Sequence, residues 1–147
     1  MNNIRQLSVF LENRPGHLGQ VCRALAGAGI NIVTMTLADT TEFGIIRLII
    51  REWREAKDIL ERAGFTVKAT DVLAIEVADE PGGLEAVLRT AAGAGLSVEY
   101  MYAFARGTGN KAMIVICFDD PAAAAAALRT AGAGVISAEE FYSEKQK

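Results

Sequence analysis

One stretch of this chain occurs twice, and it decides the fold. RPGHLGQVCRALAGAGINIVTM (Arg14–Met35) is followed, at an offset of 66 residues, by EPGGLEAVLRTAAGAGLSVEYM (Glu80–Met101). Pro15/Pro81, Gly16/Gly82, Leu18/Leu84, Val21/Val87, Arg23/Arg89, Ala26/Ala92, Gly27/Gly93, Ala28/Ala94, Gly29/Gly95 and Met35/Met101 are identical, with no gap. Further on the offset becomes 68, where Ile59–Gly64 aligns with Ala127–Gly132. The two extra residues fall near Gly107–Asn110, where a turn absorbs them. Repetition at this period means two copies of one supersecondary unit, each a small domain.

Each copy reads the same way. Leu7, Val9 and Leu11 alternate with polar neighbours, the pattern of a half-buried strand. Pro15 is placed to open a helix whose stripe is Leu18, Val21, Cys22 and Leu25, and Gly29 to end it. Ile30–Leu37 is β-branched and apolar, hence a second strand, and Asp39–Gly44 is a turn. Ile45–Arg51 is a third strand. Ala56, Ile59, Leu60 and Ala63 mark a second helix, and Phe65–Ala69 a fourth strand. The second copy follows with Val72–Val77, Gly82–Ala94, Leu96–Phe104, Ala112–Phe118, Pro121–Ala131 and Val135–Phe141, with Asp120 as an N-cap.

The order β-α-β-β-α-β with right-handed crossovers predicts an α+β, ferredoxin-like unit. Its antiparallel sheet runs 4-1-3-2, with both helices on one face and strand two at an edge. The domains span residues 1–71 and 72–147, with almost no linker between them.

The chain has 147 residues, 51% apolar and 22% charged, a globular composition that excludes disorder. Net charge is −3, with +1 on the first half and −4 on the second. That balance, without a basic run, argues against nucleic acid as a partner. Cys22 and Cys117 sit far apart in apolar surroundings and read as buried, reduced thiols. The N-terminus lacks a signal-peptide core, and no apolar run is long enough to span a bilayer. A cytoplasmic location with no membrane partner is the expectation.

Chemistry-bearing constellations are nearly absent. His17 is the only histidine, so neither a histidine triad nor a multi-histidine metal site can be assembled in one chain. No cofactor, metal or catalytic residue is expected. His17 itself reads either as a surface residue at a helix start or as a ligand contact. Asp79/Glu80, Asp119/Asp120 and Glu139/Glu140 read as solvated or capping carboxylates. The positive signal is the loop Glu12–Leu18, where an apolar strand turns straight into a helix. Its N–H groups and positive helix end favour an anion such as a carboxylate, against the plainer reading of ordinary capping. Asn13 adds a donor and acceptor, Arg14 a charge, and Asn31 a second amide taken to lie nearby.

ENRPGHL followed by AGAGINI resembles the ACT domain, a small amino-acid-binding regulatory module. The likeness to the form in phosphoglycerate dehydrogenase is strongest at Asn-Arg-Pro-Gly and Gly-x-Asn-Ile, and the resemblance spans both copies. It implies two domains paired side by side, usually through their second strands, into an eight-stranded sheet. It also implies a ligand where one domain's strand–helix loop faces its neighbour. Asn13 and Asn31 fall where that form holds serine with asparagines, while its histidine contact falls at Leu11, a departure that leaves serine specificity open. The implied ligand-binding set is Asn13, Arg14, Pro15, Gly16, His17, Leu18, Asn31 and Ile32. Its counterpart in the second copy is Asp79, Gly82, Gly83, Leu84, Ser97, Val98 and Tyr100.

Tyr100, Tyr102 and Phe104 alternate along the second strand of the second copy and read first as rings for packing on a sister domain and second as a ligand wall. The functional expectation is a non-catalytic protein that binds an amino acid and reports it to an enzyme or transporter. The alternative is an assembly subunit with a degenerate pocket. Met113–Phe118 is apolar on both faces, which predicts a homodimer to cover the face without helices.

Overall fold

The computed structural model describes residues 3–12, 14–39, 43–104 and 109–143. The chain divides into two compact units, Arg5–Thr70, and Asp71–Lys147 together with Met1–Ile4. The first is built from β1 (Ile4–Glu12), α1 (His17–Gly27), β2 (Thr34–Asp39), β3 (Phe43–Ile49), α2 (Trp53–Arg62) and the start of β4 (Thr66–Ala78). The second takes the rest of β4 with α3 (Gly83–Gly93), β5 (Val98–Phe104), β6 (Lys111–Phe118), α4 (Pro121–Thr130), β7 (Gly134–Ile136) and α5 (Ala138–Ser143).

The strand orders are β4-β1-β3-β2 and β7-β4-β6-β5, the expected 4-1-3-2 in both copies. In the first unit Leu7 pairs with Leu48 and Val9 with Ile46. These residues form one face, onto which α1 places Val21 and Leu25 and α2 places Ala56 and Leu60. In the second unit Leu73, Ile75, Ile114, Ile116 and Phe118 meet Val87 and Ala91 of α3 and Ala124 and Leu128 of α4. Each fully buried aliphatic side chain contributes about 1.5–3 kcal/mol, so these stripes dictate which way the helices face.

All four of these helices end alike. After α1, Gly29 adopts φ +71°. Gly29 N–H bonds Ala26 O at 3.0 Å and Ile30 N–H bonds Leu25 O at 3.0 Å. This is the Schellman arrangement, and it recurs at Gly64, Gly95 and Gly132.

Five expectations are corrected. Strand four of the first copy and strand one of the second are one 13-residue strand, β4, so seven strands are described rather than eight. The second strands do not pair with each other: β2 pairs with β3, and β5 with β6. Pro15 does not begin α1, because Gly16 at φ +83° is its N-cap and the helix starts at His17. Cys22 is exposed, since α1 buries Val21 and Leu25 and turns Cys22 outward. The last strand stops at Ile136, and residues 138–143 are helical. There Ser137 Oγ accepts the Glu140 N–H at 3.1 Å, as an N-cap does. The sequence cue was Ser137-x-x-Glu140, half of a capping box.

The second face of β6 also reads differently. Met113, Val115 and Cys117 point away from the helix side, yet all three are buried within a single chain. β6 therefore does not need a partner chain to cover it. The turn residues 40–42, and 107 and 108 of the Gly107–Asn110 turn, lie outside the described residues.

Candidate functional site

The first strand–helix loop is a tight left-handed corner. Arg14 N–H bonds Glu12 O at 2.9 Å, Pro15 follows, and Gly16 takes the positive φ that a residue with a Cβ avoids. No side chain caps α1 and its first turn holds no acidic residue. The first-turn N–H groups of a helix lack intrahelical acceptors and carry partial positive charge. By contrast α4 is closed by Asp120, whose Oδ1 accepts Ala123 N–H at 3.1 Å. Arg14 forms an exposed ion pair with Glu12, Nε to Oε2 3.3 Å, so the loop's charge is balanced locally. Such a pair contributes about 0–1 kcal/mol and yields readily to a competing anion.

His17 faces the strand end. Its Nδ1 lies 2.9 Å from Glu12 N and 3.1 Å from Glu12 O, and its ring tilts over Phe65 at 5.1 Å. Pro15 and Gly16 are exposed, whereas Leu18 and Ile32 are half-buried against the core. Asn13 lies outside the described residues.

The structure does not bring Asn31 to this loop. Asn31 is exposed and lies between α1 and β2, just before Val33, whose N–H bonds Ile49 O at 2.9 Å. Ile49 pairs with Gln6, whereas the loop follows Glu12, which pairs with Phe43. Six residues of strand separate these registers, on the order of 20 Å. One copy therefore cannot offer both to one ligand.

The second copy repeats the corner with other chemistry. Gly82 has φ +89° and caps α3, but Glu85 occupies the first helical turn, and Asp79 and Glu80 are exposed beside it. Asp79 N–H is taken by Asn110 O at 2.6 Å. Gly83 sits so close to the strand end that a Cβ on it would overlap the Ala78 carbonyl oxygen. Leu84 and Val98 are partly buried in the core. Ser97 N–H is held by Asp119 Oδ1 at 3.0 Å, a tie that alternation and propensity did not signal.

A register irregularity between Val98 and Tyr100 turns them to opposite faces, so Val98 pairs with Phe118 on the helix side and Tyr100 with Cys117 on the other. Tyr102 shares the Tyr100 face, and the Phe104 side chain lies outside the described residues.

A second feature went unread in the sequence. Trp53 at the start of α2 carries the Arg54 guanidinium 4.6 Å and the Arg5 guanidinium 5.2 Å from its ring, beside a hollow of about 230 Å³. The indole also packs on the first core, so the ring joins an apolar contact on one side to the two cations. Among the described residues no group of three or more His, Cys, Asp or Glu can hold a metal ion. No described helix is long and apolar enough to cross a membrane.

A family model described as an ACT domain pair matches residues 2–142. A crystal structure of a protein from Bacteroides thetaiotaomicron is 33% identical, with a TM-score of 0.88, covering 97% of this chain and 99% of that one. The ligand-free regulatory subunit of aspartate kinase from Thermus thermophilus shares the fold at 18% identity and a TM-score of 0.64, covering 88% and 91%. The corresponding subunit from Thermus flavus does so at 18% and 0.62, covering 88% and 93%. No curated protein matches the chain.

Proposed function

Since the chain belongs to the ACT domain-pair family, we propose that it is a non-catalytic regulatory protein that binds a free amino acid at its first strand–helix loop. The bound state is reported to an enzyme or transporter in the cytoplasm. The observation that carries this reading is the left-handed Pro15–Gly16 corner, opening onto the uncapped, acid-free start of α1. An amino acid's α-carboxylate is the anion such a helix end favours. Asn13 and Arg14 flank it, Pro15, Gly16, His17 and Leu18 form the corner, and Asn31 with Ile32 supplies the far side.

Asn31 comes from a second copy of the chain in this proposal. The edge strand β2 exposes Met35 and Leu37, at 41% and 48%. An exposed apolar edge is a template for strand pairing. Antiparallel pairing of two β2 edges sets the Asn31 end of one chain beside the loop end of the other. The homodimer thus rests on β2 and not on β6. Leu37→Lys is expected to weaken self-association roughly tenfold or more, measured by sedimentation equilibrium. Unchanged association would move the interface elsewhere.

The second copy favours the assembly reading for its own loop, because Asp79, Glu80 and Glu85 place three carboxylates there. Calorimetry with the twenty amino acids tests the whole proposal, and no binding by any of them overturns it. Asn13→Ala and Asn31→Ala should each weaken binding about tenfold, near 1.4 kcal/mol. Ser97→Ala should change it little. Mixing the two asparagine variants should restore tight binding at a fraction of the sites, since one kind of mixed site has both amides. A mixture as weak as its components would mean that the site is not shared between chains.

A further inference from the structure

We propose that His17 is a positioning residue that wedges the first strand–helix loop open, and that Gly83 at the same repeat position shuts the second, so that each chain carries a single amino-acid site. This rests on the reading of the first loop as the ligand site. The two positions correspond at the offset of 66, as Glu12 corresponds to Ala78. In the first copy the imidazole fills the space between strand end and helix start. Its Nδ1 lies 2.9 Å from the Glu12 nitrogen and, with the ring proton on Nε2, accepts that N–H. The Glu12 carbonyl is meanwhile bonded by Arg14 N–H at 2.9 Å, so the strand end is held from both sides. Behind the imidazole stands buried Phe65, 5.1 Å away and tilted by 30°.

Both halves of this wedge are missing from the second copy. At the offset of 68, Phe65 corresponds to Ala133, so the pair His17/Phe65 becomes Gly83/Ala133. With neither ring present, the start of α3 lies against the strand end with no space for even a methyl group at Gly83. Asp79 N–H, at the mouth of this loop, is already spent on Asn110 O. His17 therefore acts through the Glu12 backbone, and no contact with the ligand is required of it.

The test uses the full-length, ¹⁵N-labelled chain. Hydrogen exchange of the Glu12 amide is followed without ligand, and calorimetry then gives stoichiometry and affinity for whichever of the twenty amino acids binds. The wild-type protein should bind one equivalent per chain. His17→Phe keeps a ring on Phe65 but has no acceptor. It should speed Glu12 exchange about tenfold and weaken binding about tenfold. His17→Asn places an oxygen near the Nδ1 position and should keep both within about threefold of wild type. Wild-type exchange at Glu12 in His17→Phe would overturn the wedge, and two equivalents per chain would overturn the single site. If no amino acid binds the wild-type chain, the ligand reading and the single-site claim fall together. Glu12 exchange still decides whether His17 holds the strand end.

Discussion

Gly83→Ala is expected to destabilise the protein by about 2–3 kcal/mol, lowering the melting temperature by roughly 10 °C. The glycine sits where α3 meets the end of β4, and a methyl group would overlap the Ala78 carbonyl oxygen. The obstacle is backbone at the junction of two elements, so it cannot swing aside as a side chain would. The helix start must shift as a body and strain the Gly82 corner with it. Gly93→Ala is the matched control, since a Cβ there meets nothing within 4 Å. It should leave stability unchanged or raise it by up to about 1 kcal/mol, the usual advantage of Ala over Gly in a helix. Thermal melts followed by circular dichroism separate the two. Equal melting temperatures for Gly83→Ala and the wild type would mean that α3 is not pressed on Ala78.

Phe141→Ala should cost more, about 3–5 kcal/mol, the usual range for deleting a fully buried aromatic ring. Phe141 is 0% exposed, lies in the terminal helix α5, and meets Tyr142 edge-on with ring centroids 5.3 Å apart. It is buried outside the cluster beneath α3 and α4, as are Ala74, Met113, Val115 and Cys117. Urea titration measures the loss, and a value below about 1 kcal/mol would contradict the burial. The same burial gives Val115→Lys a distinct signature. It should unfold the chain rather than split a dimer, because that face of β6 is already covered within one molecule.

Much of the architecture was legible because it depends on short-range chemistry repeated twice. Alternating Leu7, Val9 and Leu11, the Val21 and Leu25 stripe, and glycines at helix ends are local patterns with one low-energy outcome each. Their recurrence at Val77, Val87 and Gly95 removed most ambiguity about the βαββαβ order. The offset itself carried the Pro-Gly corner, and both glycines do take the left-handed turn.

The sequence alone therefore determined the two-copy, ferredoxin-like plan, the faces that the helices cover, and the Pro-Gly corner that precedes the first helix of each copy. Tertiary structure alone decided which pieces of that corner meet. Periodicity reports the face of an element and nothing about distance between element ends, so Asn31 read as a neighbour of the loop although a whole helix separates them. In the same way, alternation along Tyr100 and Tyr102 was sound, but a register shift at the start of β5 moved Val98 to the other face. Whether an apolar strand face is covered by its own chain is a long-range matter that composition does not encode, and Met113, Val115 and Cys117 are buried without a partner chain. The contrast between His17 and Gly83 was visible as letters. Its meaning came only from the tertiary contacts, an imidazole between Glu12 and Phe65 in one copy and a backbone with no space for a methyl group in the other.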